Sequence, residues 1–213
     1  MKNQKQFVYL FILFIVTVIG YQELLSTNPI FKHDFVNWDD PVYIFSNPLF
    51  NAFSWKVLFT QFFMGNYHPF TLLSLCIDNW IGGENASIFL IHNLSLHIGS
   101  VFFLFFIGKE IFKDNIAALL LALLFAAHPA HVESVAWISE RKDVLHTFWF
   151  LAAFYNYLIY SKAYKLKFYL LSILFFIAAL LSKGQAVTLT GVIILIDWYN
   201  GRWLTKKALI EKI

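Results

Sequence analysis

Long uninterrupted apolar runs constrain this chain more than any other feature. They cover residues 7–25 and about 86–107, 116–136, 144–160, 168–182 and 186–199. A soluble domain carries about 25% charged residues, whereas this chain has 14% and a mean hydropathy of +0.63. The sequence therefore predicts an all-α, polytopic membrane protein with about six transmembrane helices in one domain, residues 1–213.

The length of individual runs leaves some alternatives open. The last two runs are shorter than the ~20 residues that cross a bilayer, so tilted helices, helices inside the bundle and one re-entrant pair all fit. Lys2 and Lys5 precede the first run, as in a signal peptide. That run is too long for a signal peptide and no A-x-A cleavage site follows it, which favours an uncleaved first helix at residues 7–25.

Composition excludes some classes of partner and bond. The net charge is only +3 and the basic residues are scattered, so no basic stripe indicates nucleic-acid binding. Cys76 is the single cysteine, which excludes an internal disulfide.

The distribution of charge predicts the orientation. With the N-terminus in the cytoplasm and six spans, 11 of the 16 basic residues fall on the cytoplasmic side, as the positive-inside rule requires. Residues 26–85 then form the first extracytoplasmic loop, residues 86–199 contain the remaining spans, and residues 200–213 form a cytoplasmic tail that includes Lys206, Lys207 and Lys212. The unusual polar residues all lie on the outer side, which favours chemistry at one membrane surface over transport through the bundle.

A short amphipathic segment lies within the predicted outer loop. In SWKVLFTQFF, Trp55, Leu58, Phe59 and Phe62 follow helical spacing, and Ser54 is a suitable N-cap. We expect a helix in the membrane interface with its aromatic face in lipid, although packing against other protein fits equally well.

The stretch FVNWDDPVYI places two acids side by side in the same loop. A carboxylate beside a second carboxylate in an apolar chain can accept a proton from a hydroxyl group, so Asp39 and Asp40 are candidate catalytic bases. An ordinary Asp-Pro turn is the alternative. Trp38 suggests a sugar-binding arrangement, because aromatic rings commonly accompany carboxylates in such sites.

Histidines recur near the predicted outer surface and within the second span. His68 lies at the membrane edge before Pro69, while His92 and His97 lie within a span, where polar groups normally face the bundle interior. Asn93 shares a helix face with His97, and hydrogen bonding between helices is its favoured role. The three histidines are candidates for lining a sugar pocket, with packing or capping as the alternative.

A second polar cluster follows the third span. Pro129 should end that helix and bring His128, His131 and Glu133 together as further pocket residues. No cofactor is expected, although imidazole and carboxylate leave a divalent metal as an alternative; the spacing matches no zinc signature. Arg141, Lys142 and Lys183 are candidates for binding a phosphate, with snorkelling and pairing to acids as the alternative.

Together these parts suit transfer of a sugar from a lipid phosphate to a hydroxyl acceptor outside the cytoplasm. The donor's tail would lie among membrane lipids and helices, and its phosphate would rest on the outer cations. Phosphate is already a good leaving group, so one carboxylate base is enough for an inverting displacement.

Five segments resemble the membrane part of the transmembrane and tetratricopeptide repeat-containing proteins, of the GT-C glycosyltransferase superfamily. They are WDDPVYI, NYHPFTLLS, the HNLSLH run, HPAHVESVAWISERKDVL and LLSKGQAVTLTGVIILIDWY, in this order, and the resemblance covers about residues 30–200. It implies a GT-C fold with an acidic pair in the first outer loop, at Asp39 and Asp40, and makes Asp39 the first candidate for the base.

The resemblance also implies partners and a location. Family members are linked to protein O-mannosylation from a dolichyl-phosphate sugar, with a protein or glycan as acceptor. A bacterial relative would use another polyprenyl phosphate at the inner membrane; in a eukaryote the membrane would be that of the endoplasmic reticulum. The chain stops after the sixth predicted span without the later spans and repeats, so a fragment, a split gene and a reduced protein are all open. A non-catalytic membrane subunit is the alternative function, and a transporter is a third.

Overall fold

The structure, a computed structural model, describes residues 2–25 and 34–202 and is all-helical over them, as predicted. The only strand-like feature in these ranges is an isolated bridge between Phe63 and Asn66. The α-helices are α1 (Lys2–Gly20), α2 (Pro48–Asn51), α3 (Trp55–Thr60), α4 (Pro69–Gly82), α5 (Ala86–Phe112), α6 (Asn115–Ala127), α7 (Val132–Ala136), α8 (Arg141–Ala163), α9 (Leu166–Ser182) and α10 (Leu189–Tyr199).

Helices cover most of each predicted apolar run, although the run at 116–136 is divided between α6 and α7. The length and composition of the helices support fewer than six membrane crossings. Within the described residues, α5 is the one helix long and apolar enough to cross a membrane by itself. Residues 115–127 and 129–136 would make a second crossing if the pair, bent by 51°, counts as one span. The number of six crossings therefore stays a prediction.

Helix α5 forms the centre of the bundle. It packs against α1, α4, α6, α7 and α8, and α8 also pairs with α9. The contact between α5 and α6 depends on small residues, because a Cβ added to Gly108 would lie 3.1 Å from the Cα of Ala118. Ala118 and Ala122 are fully buried against α1 and α5. Such close backbone approach is typical of helix packing without large side chains.

Local signals in the predicted outer loop formed as expected, with one difference. Ser54 caps α3 by accepting a hydrogen bond from the amide of Val57 at 3.4 Å. Trp55 and Phe59 are exposed, whereas Leu58 is 1% exposed and belongs to the core. The stripe therefore divides: its aliphatic member packs on protein, and its aromatic members face outward.

Two prolines also act as predicted. Pro69 occupies the first turn of α4, where its missing amide costs no hydrogen bond. Pro129 follows the end of α6 and begins the short 3₁₀ turn Pro129–His131. Helix α4 packs against α5, α8 and α9, so the predicted outer loop contributes a helix to the bundle.

Part of the charge pattern lies outside the described residues. The basic residues that lie outside the described ranges include Lys32 of the predicted outer loop and Lys206, Lys207 and Lys212 of the predicted tail. The orientation inferred from charge stays a prediction.

Candidate functional site

The two neighbouring acids have different environments. Asp40 is fully buried, and its carboxylate accepts hydrogen bonds from the Val36 amide at 2.8 Å and from the Ser139 amide at 3.0 Å. The hydroxyl of Ser139 donates to the same carboxylate. Asp39 is half-buried, and its side chain has no hydrogen bond or ion pair within residues 2–25 and 34–202. Asp40 therefore joins the first loop to residues 138–140, while the Asp39 carboxylate remains available.

A one-turn π-helix, Pro41–Phe45, places Tyr43 beside Asp39. Tyr43 is 1% exposed, and burial, followed by the negative charges of Asp39 and Glu140, raises its pKa to about 12. The Lys142 ammonium lies 5.7 Å from the centre of the Tyr43 ring. The Tyr43 side chain therefore lies between the loop that carries Asp39 and the start of α8.

His68 lies against the same tyrosine. Its ring is stacked on that of Tyr43, and its Nε2 is 3.4 Å from the phenol oxygen. Burial, and then the nearby charge of Lys142, lowers the pKa of His68 to about 4. A neutral imidazole in this position can share a proton with the phenol but does not add positive charge to the site.

Alternating charges continue from the start of α8 to the end of α9. The Lys142 ammonium is 2.8 Å from a carboxylate oxygen of Glu140, and Lys183 is paired with Asp143. Burial raises the pKa of Glu140, and the carboxylate of Asp143 adds to the effect while Lys142 opposes it. We call Asp39, Glu140, Lys142, Asp143 and Lys183 the charged rim.

Arg141 is absent from the charged rim, which corrects its prediction as a phosphate ligand. Its side chain is 0% exposed. Its guanidinium donates to Asp78 at 2.6 Å and to the carbonyl of Phe89 at 2.7 Å, and its Nε donates to Asn93. This buried arginine fixes the start of α8 to α4 and α5 and is not available to a ligand.

The predicted pocket residue His92 and its neighbour Asn93 also belong to this buried network. Nδ1 of His92 is 2.7 Å from Asp78, and the side chain remains 33% exposed. Asn93 donates to the carbonyls of Val135 at 3.1 Å and Trp137 at 3.3 Å. The predicted helix-joining role of Asn93 is confirmed.

The remaining predicted pocket residues have varied surroundings. The ring centres of His97 and His131 are 5.7 Å apart, between α5 and the turn after α6. His128 and Glu133 are exposed, and Nδ1 of His128 accepts the amide of Ala130 at 3.1 Å. Within the described ranges, no three histidine, cysteine, aspartate or glutamate side chains are arranged to hold a metal ion.

Trp38 lies next to the acidic pair but points outward. It is 70% exposed, and its ring meets that of Trp137 edge-on at 5.2 Å. The pair of indoles forms an apolar surface adjoining the Asp39 side of the charged rim.

Known proteins provide relatives for this chain. Protein O-mannosyl-transferase TMTC1 of Mus musculus is 32% identical over 146 residues, which cover 63% of this chain and 16% of that protein. Protein O-mannosyl-transferase TMTC4 of Homo sapiens is 32% identical over 173 residues, covering 68% of this chain and 23% of the relative. TMTC4 of Mus musculus is 30% identical over 207 residues, which cover 82% of this chain and 28% of that protein. The chain is TMTC-like.

The likeness confirms the resemblance seen in the sequence motifs. The TMTC-like chain spans between 16% and 28% of the length of these relatives. No family model matches it, and no solved structure matches it.

Several residues of this TMTC-like chain gain importance only from the structure. Asp78 lies four residues after the segment NYHPFTLLS and has no local feature that predicts its pairing with Arg141. Ser139 binds Asp40 across 99 residues of sequence. His146 and Gln185 line a cavity of about 240 Å³, although no sequence pattern singles out either residue.

Proposed function

We propose that this TMTC-like chain forms the membrane part of a GT-C type glycosyltransferase. It would transfer a sugar from a polyprenyl phosphate to a hydroxyl acceptor on the extracytoplasmic side. The observation that carries the proposal is a half-buried Asp39 carboxylate with no partner among the described residues, beside Tyr43, whose ring centre is 5.7 Å from the Lys142 ammonium. The relatives' names, protein O-mannosyl-transferases, support mannose as the sugar and a protein as the acceptor.

Asp39 acts as the base in this reaction. The acceptor oxygen forms a bond to the anomeric carbon while the bond from that carbon to the phosphate oxygen breaks, and the phosphate leaves with the electron pair. The acceptor proton passes to the Asp39 carboxylate. Asp40 acts as a positioning residue, because its three hydrogen bonds fix the loop that carries Asp39.

Lys142 and Lys183 receive the donor phosphate. Both are partly exposed, and both are paired with carboxylates, Glu140 and Asp143. The donor's phosphodiester carries one negative charge, as a carboxylate does, and competes for the same ammonium groups, while the phosphate that leaves after transfer carries more charge. The raised pKa of Glu140 favours phosphate binding, because this carboxyl is more readily protonated when an anion approaches.

A non-catalytic subunit is the second candidate. It is favoured by the pairing of both rim lysines with carboxylates, Lys142 with Glu140 and Lys183 with Asp143, because paired groups of this kind can join helices without binding a ligand. Such a subunit would not transfer the sugar.

Capture of a photoreactive polyprenyl-phosphate mannose by the purified protein tests the donor assignment. We expect Lys142→Met and Lys183→Met each to lower capture about tenfold, because each removes one charge-assisted contact to phosphate. Lys167→Met removes an exposed cation from the predicted cytoplasmic side and should leave capture unchanged.

Equal capture by the wild type and both rim variants would contradict the phosphate assignment. Competition by an unphosphorylated polyprenol should be weak, because it shares the tail of the donor but lacks its charge. Competition as strong as that of the phosphate form would show that the chain binds only the lipid.

Labelling of intact cells tests the orientation. Asn37 and Lys165 are exposed, and Cys76 is fully buried, so the native thiol gives little background. With a membrane-impermeant maleimide, Asn37→Cys should be labelled in intact cells, while Lys165→Cys should be labelled only after permeabilisation. The reverse pattern would place Asp39 in the cytoplasm, away from an external acceptor.

A further inference from the structure

A polar cavity of about 240 Å³ lies between α5, α7, α8 and the turn that follows α9. Its lining includes three imidazoles, His97, His131 and His146, and the amide of Gln185. Ser100, Ser134 and Thr147 contribute hydroxyl groups, and Asp143 belongs both to this lining and to the charged rim. The cavity is smaller than the several hundred Å³ typical of sites for drug-sized ligands, so it suits one small ring better than a lipid tail or a peptide.

His146 indicates that a polar ligand belongs in the cavity. Its Nε2 is buried and has no hydrogen-bond partner within residues 2–25 and 34–202. Leaving such a group unsatisfied costs about 1–3 kcal/mol, so buried polar atoms of this kind usually meet a partner. The His146 side chain lines the cavity, so a rotation of its ring would bring this nitrogen to a bound hydroxyl group, which could donate to it or accept from it, depending on the tautomer.

The chemistry of the lining favours a neutral ligand rich in hydroxyl groups. The hydroxyls of Ser134 and Thr147 and the amide of Gln185 can each donate and accept hydrogen bonds, as the hydroxyls of a sugar do. The Ser100 hydroxyl already donates to the Leu96 carbonyl at 2.9 Å and can accept. The described imidazoles do not form a metal-holding group with neighbouring acids. The carboxylate of Asp143 lines the cavity and would repel a phosphate group placed inside it. Its ion-pair partner Lys183 belongs to the charged rim and can bind a phosphate there.

Resting on the proposed function, we propose that this cavity is the sugar-recognition subsite. It takes a neutral hexose ring, and His146 and Gln185 bind the ring's hydroxyl groups while the donor phosphate stays on the charged rim. His146 and Gln185 determine specificity and do not take part in proton transfer.

Saturation-transfer NMR on the purified chain in detergent micelles tests this subsite, with methyl α-mannopyranoside as the probe. We expect the wild type to bind the probe. His146→Phe keeps a ring but removes the nitrogens, and Gln185→Leu keeps a similar volume but removes the amide. Each should raise the dissociation constant about tenfold, the effect of losing one good hydrogen bond.

Gln61→Leu is the matched control, because it makes the same substitution at an exposed residue outside the cavity. It should bind the probe as the wild type does. Equal melting temperatures would show that the cavity variants are folded. If one variant fails to fold, the other still tests the subsite.

Three results would overturn the subsite: no saturation transfer to the probe in the wild type, wild-type affinity in both cavity variants, or displacement of the probe by inorganic phosphate. The proposed function fails separately, if Asp39→Asn transfers sugar normally. Asp39→Asn should still bind the probe, because Asp39 does not line the cavity.

Discussion

Replacing Asp39 with Asn should lower sugar transfer by a factor of about 10²–10⁴, the usual contribution of a positioned base. Asn has the same shape but cannot accept the acceptor's proton. The side chain has no hydrogen bond or ion pair within the described ranges, so its loss should leave the melting temperature within about a degree of wild type. The measurement is transfer from polyprenyl-phosphate mannose to a hydroxyl-containing peptide, with kcat and KM determined separately.

Asp40→Asn is the matched comparison, one residue away. Its carboxylate is fully buried and accepts from Val36 and Ser139, and an Asn amide nitrogen cannot accept those bonds. We expect a loss of about 1–3 kcal/mol in the free energy of unfolding. Transfer should fall with the loss of folded protein and recover when the sample is stabilised or cooled.

The two variants distinguish the roles of the acids. Normal transfer by Asp39→Asn at normal expression would remove Asp39 as the base. If Asp40→Asn instead lost transfer at an unchanged melting temperature, the assignments of base and positioning residue would have to be exchanged.

The second large effect concerns stability. Arg141→Met or Asp78→Asn should each lower the free energy of unfolding by about 3–5 kcal/mol, because each leaves a buried charge without its partner. The side chains are 0% and 2% exposed and their atoms are 2.6 Å apart. The double variant should be less destabilised than the sum of the two single variants, since it leaves no unpaired charge. Unfolding in detergent, followed by circular dichroism, measures all three.

An exposed ion pair at the other end of α5 provides the control. Lys113 is 64% exposed and lies 3.3 Å from Glu110. Lys113→Met should cost less than about 1 kcal/mol, because solvent screens exposed pairs. An equally small cost for Arg141→Met would show that the buried network contributes little, and phosphate binding by Arg141 would then have to be considered again.

The fate of neighbouring residues shows where prediction from sequence fails. Arg141 and Lys142 are adjacent and of like charge, so both were expected to bind phosphate. Successive residues of an α-helix point about 100° apart. Here Arg141 points towards α4 and α5, while Lys142 points towards Tyr43 of the predicted outer loop. Similarly, the sequence could not separate Asp39 from Asp40, because the difference depends on Ser139, which is 99 residues away.

By itself, the sequence determined the helices, the cap at Ser54, the breaks at Pro69 and Pro129, and the likeness to the TMTC proteins. These depend on residues within a turn or two, or on the order of motifs along the chain. Only the tertiary structure decided which acid is available, which cation is buried and that His146 lines a cavity. Burial and pairing of a polar group depend on which distant segments pack against it, and no local pattern contains that information.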